Sequence, residues 1–244
     1  MRRLAAPLFP KALLACSAVL AGMGAGLPLA EVAEARPQGP TRFYADPSDM
    51  LASEIAFDRL AREKGRWAAY RATAAADAVM FVPQQVTAPL WLKGRKDMPV
   101  PVRREAWKAY VSCDGRLAAA TGGWRGEDGA QGYFTTIWRR NDKGEWQWVL
   151  DPGDRLAAAR DHADFLEGHV ASCKGLPGGH RSADAADGPP PPPAQGGKQG
   201  PPPADRSLLW SYEVGADGAR SVQVKLWTGS GYDLVIDDRV GPAQ

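Results

Sequence analysis

The sequence lacks the short motifs that mark most metal, nucleophile and phosphate sites. It has no CxxC pair and no HExxH motif, and its three histidines are spread over the region after residue 160, at His162, His169 and His180. A structural or catalytic zinc site needs closely spaced Cys or His ligands, so no metal site is predicted. The GxSxG nucleophile elbow and the glycine-rich phosphate-binding loop are absent too. We therefore predict neither a metal nor any other cofactor.

The chain also lacks an excess of charge of either sign. Its 244 residues include 30 Lys and Arg against 28 Asp and Glu, which gives a net charge of +2. A nucleic-acid-binding surface needs clustered cations to neutralise phosphates, so no nucleic-acid partner is predicted. Arg103 and Arg104 form only a doublet, which we interpret as a solvated approach to a strand. The hydrophobic fraction of 44% and the nine Trp allow one domain with its own core, plus appendages.

The N-terminus has few basic residues, but they precede an apolar run, as they do in an export signal. Arg2, Arg3 and Lys11 precede an apolar run over residues 12–27, and a small-x-small cleavage site follows at residues 33–35. We predict a signal peptide over 1–35 and an exported, periplasmic or secreted chain that has no membrane contact after cleavage. Residues 13–16 resemble a lipoprotein box ending at Cys16, so lipoprotein processing stays an alternative.

Cysteine is scarce, and its scarcity is informative in an exported chain. Signal cleavage would remove Cys16 and leave Cys113 and Cys173 together in an oxidising compartment. We predict a disulfide between these two residues, with free redox-active thiols as the alternative.

Two helices are predicted after an extended arm over 36–47. Asp46 can cap the first helix, and Pro47 has the fixed φ angle suited to its first turn. Glu54 lies on the same side of this helix as Phe57, so its carboxylate must find a partner or stay protonated. The second helix is predicted over 66–76, followed by a strand over 78–82.

The segment over residues 132–151 reads as an antiparallel hairpin. Two alternating runs, GYFTTIW and WQWVL, flank the turn-forming residues 141–144. Further strands are predicted over 107–112 and 117–124. Helices followed by antiparallel strands define the α+β class, with a curved sheet that the helices cover. A trailing helix is predicted over 154–170.

Aromatic residues are missing from the region between Phe165 and Trp210, and prolines are concentrated there instead. We predict an exposed linker over 174–206, because this composition cannot bury enough apolar surface to fold. In residues 207–240 apolar and polar positions alternate again, and this pattern predicts a three-stranded β-meander. Such a meander is too small to be stable alone, so we expect it to dock on the main domain or on a second copy.

Several short segments together resemble the nuclear transport factor 2-like superfamily, which includes ketosteroid isomerases and SnoaL-like polyketide cyclases. They are Glu54, Phe57, Ala61 and Gly65, then DAVMFVP at 77–83, WLKG at 91–94, SCDG at 112–115, GGW at 122–124, and the GYFTTIW strand with its WxW return. The similarity is greatest to an exported bacterial branch of unassigned function. It implies a cone-shaped domain over 48–173, an apolar cavity between sheet and helices, and a homodimer.

Candidate site residues follow from this cone. The catalytic candidates are the carboxylates Asp77, Asp151 and Glu54, since a carboxylate buried beside aromatic rings can act as an acid or base. The candidates for the wall of a ligand cavity are Trp67, Tyr70, Phe81, Trp91, Tyr133 and Trp138, although core packing alone would explain most of the tryptophans. We interpret the chain as a non-catalytic protein that binds a small apolar or amphipathic ligand or dimerises. The alternatives are an isomerase, cyclase or hydratase, and a protein-interaction scaffold.

Overall fold

The structure is a computed structural model that describes residues 43–82, 84–97, 102–162, 164–179, 198–199 and 204–242. The predicted signal peptide, most of the extended arm and the proline runs of the predicted linker lie outside these residues. Within the described ranges, no helix has the length and apolar character needed to cross a membrane.

Two consecutive helices open the described chain. Helix α1 spans Pro47–Lys64 and helix α2 spans Arg66–Thr73. The predicted cap of α1 is confirmed, because Asp46 Oδ1 accepts a hydrogen bond of 2.9 Å from the Ser48 N–H. Helix α2 is capped from a distance: Asp97 Oδ1 accepts from the Trp67 N–H at 2.5 Å and from the Ala68 N–H at 3.1 Å. These contacts satisfy N–H groups that a helix start leaves without intrahelical partners.

A curved, unclosed sheet follows the helices. Its strands are β1 Ala74–Phe81, β2 Gln85–Thr87, β3 Val102–Val111, β4 Leu117–Gly126, β5 Gln131–Arg140, β6 Trp146–Asp151, β7 Gly153–Leu156 and β8 Glu167–Val170, and a short helix α3 at Ala88–Leu92 follows β2. Their order is β2-β1-β6-β5-β4-β3-β8, with β7 also paired to β5. The neighbours β1 and β6 are parallel, as are β3 and β8, and the other pairs are antiparallel. The predicted α+β class and the predicted hairpin, β5 with β6, are confirmed.

Bulges give the sheet its bend. The register between β3 and β4 shifts between Ala106 and Lys108, and another shift lies between Ile137 and Trp138 in β5. Opposite the first bulge, a Cβ at Gly122 would lie 1.9 Å from the carbonyl oxygen of Glu105. Only glycine allows the two strands to approach this closely.

The predicted trailing helix over 154–170 is wrong. Its two ends are strands instead, because β7 pairs with β5 and β8 pairs with the edge strand β3. A glycine permits the first of these contacts, because a Cβ at Gly153 would lie 2.6 Å from the Tyr133 carbonyl oxygen. On β8, a Cβ at Gly168 would lie 2.6 Å from the side chain of Pro47, so glycine there lets the strand approach the start of α1. Helix α2 also ends earlier than predicted, at Thr73, where the chain turns into β1.

The predicted meander is confirmed, and it packs on the main sheet of the same chain. Its strands are β10 Leu208–Val214, β11 Arg220–Trp227 and β12 Tyr232–Val240, and a two-residue strand, β9 at Lys198–Gln199, pairs with β10. Thr135 of β5 donates to Asp238 Oδ2 at 2.5 Å, and Arg160 Nη1 donates to Asp238 Oδ1 at 2.7 Å. Asp238 is 5% exposed. The meander therefore forms a second layer over β5.

The predicted disulfide is present between Cys113 and Cys173, whose Cα atoms are 5.3 Å apart. It joins the turn after β3 to the segment after β8. The same turn holds the meander, since the Cys113 N–H donates to Ser207 Oγ at 2.8 Å and the Asp114 N–H to Asp205 Oδ2 at 2.7 Å. Covalent and hydrogen-bonded links thus meet at one end of the sheet.

Removal of the disulfide tests its contribution to the folded state. The two cysteines are separated by 60 residues, and a closed loop of this size lowers the entropy of the unfolded chain enough to stabilise the fold by about 4 kcal/mol. The double variant Cys113→Ala/Cys173→Ala should lose about this much unfolding free energy in urea titration. A loss below about 1 kcal/mol, the range of ordinary surface changes, would show that the bridge does not constrain the unfolded chain.

Removal of the Asp238 carboxylate tests the docking of the meander. Asp238→Ala leaves the buried Thr135 hydroxyl without its carboxylate acceptor, which should cost about 1–3 kcal/mol of unfolding free energy. Asp233→Ala is the matched control, because Asp233 is an exposed carboxylate on the same strand. Limited proteolysis should cut the docked meander faster in Asp238→Ala than in the control. Equal cleavage of both would contradict a docking role for Asp238.

Candidate functional site

A buried arginine stands at the centre of the region between helices and sheet. Arg104 lies on β3, and its side chain is 8% exposed although its neighbour Arg103 is exposed. The Arg104 backbone N–H also donates to Asp58 Oδ1 of α1 at 2.9 Å, which fixes the helix against the strand. A charge this deeply buried must be matched by acceptors, or it destabilises the fold.

Each of the five N–H donors that a guanidinium carries has an acceptor here. Nε of Arg104 donates to Glu54 Oε2 at 3.2 Å. Nη1 donates to Tyr70 Oη at 3.2 Å and to Asp151 Oδ2 at 2.9 Å. Nη2 donates to Glu54 Oε1 at 3.4 Å and to Thr136 Oγ1. Helices α1 and α2 and strands β5 and β6 are therefore joined through one side chain.

Aromatic rings enclose this cluster. The Arg104 Cζ atom lies 3.5 Å from the ring centre of Phe134 and 5.0 Å from that of Phe57. Such cation–π contacts stabilise an arginine that has left water. On the far side, Trp138 Nε1 donates to Glu54 Oε1 at 2.8 Å. The ion pairs consequently lie in apolar surroundings, where they interact more strongly than at the surface.

The surroundings change the pKa values of three of these groups. Burial raises the pKa of Glu54, despite the opposing effect of Arg104. Burial and the nearby charge of Asp151 raise the pKa of Tyr70 to about 12, so its hydroxyl keeps its proton at physiological pH. Burial opposes the charge of Arg104, but Asp151 and Glu54 outweigh it, and the pKa of Arg104 lies above its ordinary value. Arg104 is a permanent cation.

A cleft of about 230 Å³ adjoins the cluster. Tyr70, Arg104 and Asp151 of the cluster line it, and Arg66, Asp154 and Arg155 are its other charged lining residues. Apolar side chains form much of the remainder, including Phe57, Ala61, Phe81, Trp124 and Phe134. The cluster thus presents a carboxylate and a phenol to a space with aromatic walls.

The structure brings some of the sequence-predicted site residues together and separates others. Glu54, Asp151, Tyr70 and Trp138 meet around Arg104, although neither Glu54 nor Trp138 lines the cleft. Asp77 lies elsewhere: its side chain is exposed and accepts two hydrogen bonds from Arg139, at 2.7 and 3.2 Å. These hydrogen bonds lower the pKa of Asp77 below its ordinary value.

The aromatic candidates divide in the same way. Phe81 and Tyr133 are among the residues that line the cleft. The Tyr133 ring, however, has the guanidinium of Arg160 3.4 Å from its centre, on the side of β5 that carries the meander. Trp67 packs edge-on against Trp91, with ring centres 5.1 Å apart, and both lie outside the cleft lining.

Arg104 is the main site residue that sequence reasoning missed. Its interpretation as a solvated residue is wrong, because β3 extends N-terminally beyond the predicted strand and turns Arg104 inward. Two signals point to it. Arg104 shares its face of the strand with buried Ala106, and Glu54 on the apolar face of α1 needs a cationic partner.

Comparisons with known proteins find similarity only to solved structures. No family model and no curated protein matches the chain. A provisional ketosteroid isomerase from Parabacteroides distasonis is 14% identical and has a TM-score of 0.35, with 42% of this chain and 85% of that chain covered. A nuclear transport factor 2-like protein of unknown function from Methylobacillus flagellatus is 16% identical and has a TM-score of 0.34, with 49% and 99% covered. A conserved protein from Planctomyces limnophilus is 14% identical and has a TM-score of 0.33, with 45% and 98% covered.

The resemblance stated from the sequence holds at the level of the fold. Two helices covering a curved, unclosed sheet, in this chain order, are the arrangement that the resemblance in sequence predicts. At these identities and TM-scores, the matches carry no argument about ligand or reaction.

Replacement of Arg104 should be among the most damaging single changes in the chain. Arg104→Met leaves Glu54 and Asp151 buried without their cation, and breaking a buried ion pair in this way costs about 3–5 kcal/mol. Arg103→Met, at the adjacent exposed position, should change the unfolding free energy by less than about 0.5 kcal/mol. Urea unfolding of both variants measures the difference. Similar small losses in both would contradict a central role for Arg104.

The raised pKa of Glu54 predicts a pH dependence of stability. An acid whose pKa is raised by folding stabilises the fold below its unfolded pKa, and this stabilisation is lost as the pH rises through the folded value. The unfolding free energy of the wild type should therefore fall relative to that of Glu54→Gln as the pH rises above 4.5, the ordinary value. A tenfold difference in acidity between the folded and unfolded states corresponds to about 1.4 kcal/mol.

The measurement is urea unfolding of both proteins over a pH series, with Glu63→Gln as the control. Glu63 is an exposed residue of the same helix, so this variant should follow the wild type at every pH. A difference between wild type and Glu54→Gln that grows in favour of the wild type as the pH rises would reverse the expected sign and refute it.

Proposed function

We propose that the protein is an exported, non-catalytic member of its fold class that binds a small amphipathic molecule in the cleft. The observation that supports this most directly is the composition of the cleft: aromatic and aliphatic side chains share its lining with polar groups, of which Tyr70, Arg104 and Asp151 are fixed by hydrogen bonds to one another. Ligand sites in proteins commonly combine apolar walls with polar groups that fix the orientation of the ligand.

The position of the carboxylates favours binding over catalysis. A general acid or base needs both a suitable pKa and access to its substrate. Glu54 has the raised pKa, but both of its oxygens are occupied by Arg104 and Trp138 and it does not line the cleft. Asp151 does line the cleft, but one oxygen accepts from Arg104 and the other from Thr136. Both carboxylates of this cluster are therefore engaged by hydrogen bonds within the protein.

An isomerase, cyclase or hydratase is the second candidate. It is favoured by one observation, that Asp151 and the neutral phenol of Tyr70 border the same cleft. A carboxylate base beside a phenol donor could move a proton on a bound carbonyl compound. This candidate requires that a cleft ligand is chemically converted and that Asp151→Asn, while folded, abolishes the conversion. A ligand recovered unchanged from wild type supports binding alone.

Export is supported by the disulfide and by the N-terminal pattern of the sequence. A bond between Cys113 and Cys173 is expected in an oxidising compartment. The homodimer implied by the resemblance stays a prediction, as does a scaffold function for the meander surface. Sedimentation of the mature chain separates a monomer from a dimer.

Filling the cleft tests the binding proposal. Ala61 is a small residue of its lining, so Ala61→Phe should occupy the space and abolish ligand binding. Ala56→Phe is the matched control, because Ala56 is an exposed residue of the same helix. Saturation-transfer NMR against a panel of one- and two-ring aromatic compounds should detect binding to the wild type and to Ala56→Phe. Binding that survives in Ala61→Phe, or no binding to the wild type, would contradict the proposal.

A further inference from the structure

Among the charged residues that line the cleft and form no ion pair with each other, the positive charges outnumber the negative ones. Arg66, Arg104 and Arg155 line it, against the carboxylates Asp151 and Asp154. Arg104 is already engaged by Asp151 and by the buried Glu54. Arg66 and Arg155 therefore face the cleft against one remaining carboxylate, that of Asp154.

Arg66 is held in place by aromatic rings rather than by a carboxylate. It is the first residue of α2, and its guanidinium lies 5.0 Å from the ring centre of Trp67 and 5.7 Å from that of Tyr70. Among the residues that the structure describes, no carboxylate forms an ion pair with Arg66 within 4.0 Å. Stacking of this kind orients a guanidinium and leaves its N–H groups free for an anion.

Arg155 reaches the cleft from the sheet side. It lies on β7, opposite Gly132 of β5, and is exposed. Within the described part of the chain it too has no ion pair, and its neighbour Asp154 uses one carboxylate oxygen to accept from the Arg155 backbone N–H at 2.8 Å. One cation on the helix side and one on the sheet side thus border the same small space.

The rest of the lining suits a flat aromatic body. Phe81, Trp124 and Phe134 contribute rings to it, and aromatic groups pack favourably face-to-edge or offset against such rings. A volume of about 230 Å³ is below the roughly 300 Å³ from which sites for drug-sized ligands start. One or two fused rings with a single polar substituent would fill it.

We propose that the ligand is a small aromatic carboxylic acid, with its ring system against Trp124 and Phe134 and its carboxylate between Arg66 and Arg155. The inference rests on the proposed function, since it names the class of molecule that the same cleft binds. Arginine is suited to this contact because its planar N–H groups match the two oxygens of a carboxylate.

Calorimetric titration with a matched pair of compounds tests the charge preference. The probes are 2-naphthoate and 2-naphthamide, which share one ring system and differ in charge. Naphthoate should bind the mature wild-type chain about tenfold more tightly or better, because a hydrogen bond to a charged group contributes more than one to a neutral group. The preference should weaken as salt is added, since Arg155 is exposed and salt screens exposed charges.

Arginine variants test whether Arg66 and Arg155 cause the tighter binding of naphthoate. Arg66→Gln and Arg155→Gln should each lower naphthoate affinity several-fold and leave naphthamide affinity unchanged. Arg95→Gln is the matched control, because Arg95 also stacks on a tryptophan, with Cζ 3.6 Å from the Trp91 ring centre, but lies outside the cleft lining. Asp154→Asn removes the opposing charge and should strengthen naphthoate binding.

The possible failures can be told apart. If neither naphthalene compound nor any aromatic of the panel binds, the proposed function fails and this inference fails with it. If naphthoate and naphthamide bind equally, or if 2-naphthylmethylamine binds more tightly than naphthoate, the cleft still binds a ligand but the acid preference is wrong. A preference that persists in both Arg66→Gln and Arg155→Gln would also overturn the inference.

Discussion

The fold depends on one buried cation. A guanidinium that leaves water must find acceptors for all its N–H groups, and Arg104 finds them on four different elements, through Glu54, Tyr70, Thr136 and Asp151. Each acceptor fixes the position of its own helix or strand relative to β3. A buried ion network of this kind adds less net stability than an apolar core would, but it penalises any arrangement that leaves one member unpaired. The network therefore specifies how the helices sit on the sheet.

Strand β5 connects this network to the rest of the molecule. Its alternate residues face opposite layers: Thr136 and Trp138 meet the cluster under the helices, while Thr135 bonds to Asp238 of the meander. Because both faces are covered, the strand is buried almost along its whole length. The cleft beside the cluster is lined by polar groups of the cluster and by aromatic rings. Arg104 thus joins the surrounding elements and also lines the cleft, and all of its N–H donors are used within the protein.

The sequence predicted the elements whose causes are local and missed those whose causes are distant. The Asp46 cap, the hairpin of β5 and β6 and the disulfide follow from neighbouring residues or from compartment chemistry, and all three are present. The segment over 154–170 has helix-like spacing, but its strands are set by pairing with β5 and β3, which no local pattern reveals. The burial of Arg104 does not follow from its neighbours in sequence, because its partner Glu54 lies 50 residues away. The sequence predicts that the carboxylate of Glu54 needs a partner, but no local pattern identifies the residue that supplies it.

Nitrogen-15 NMR of the arginine side chains tests the central claim most directly, because it observes the guanidinium itself. The resonances of Arg104 can be identified by their loss in Arg104→Lys. If Arg104 is enclosed by five hydrogen bonds, its Nε–H and Nη–H protons should give separate signals that exchange slowly with water near neutral pH. A single averaged signal that exchanges as fast as those of the exposed arginines would show that the guanidinium is mobile and solvated, which would contradict the account.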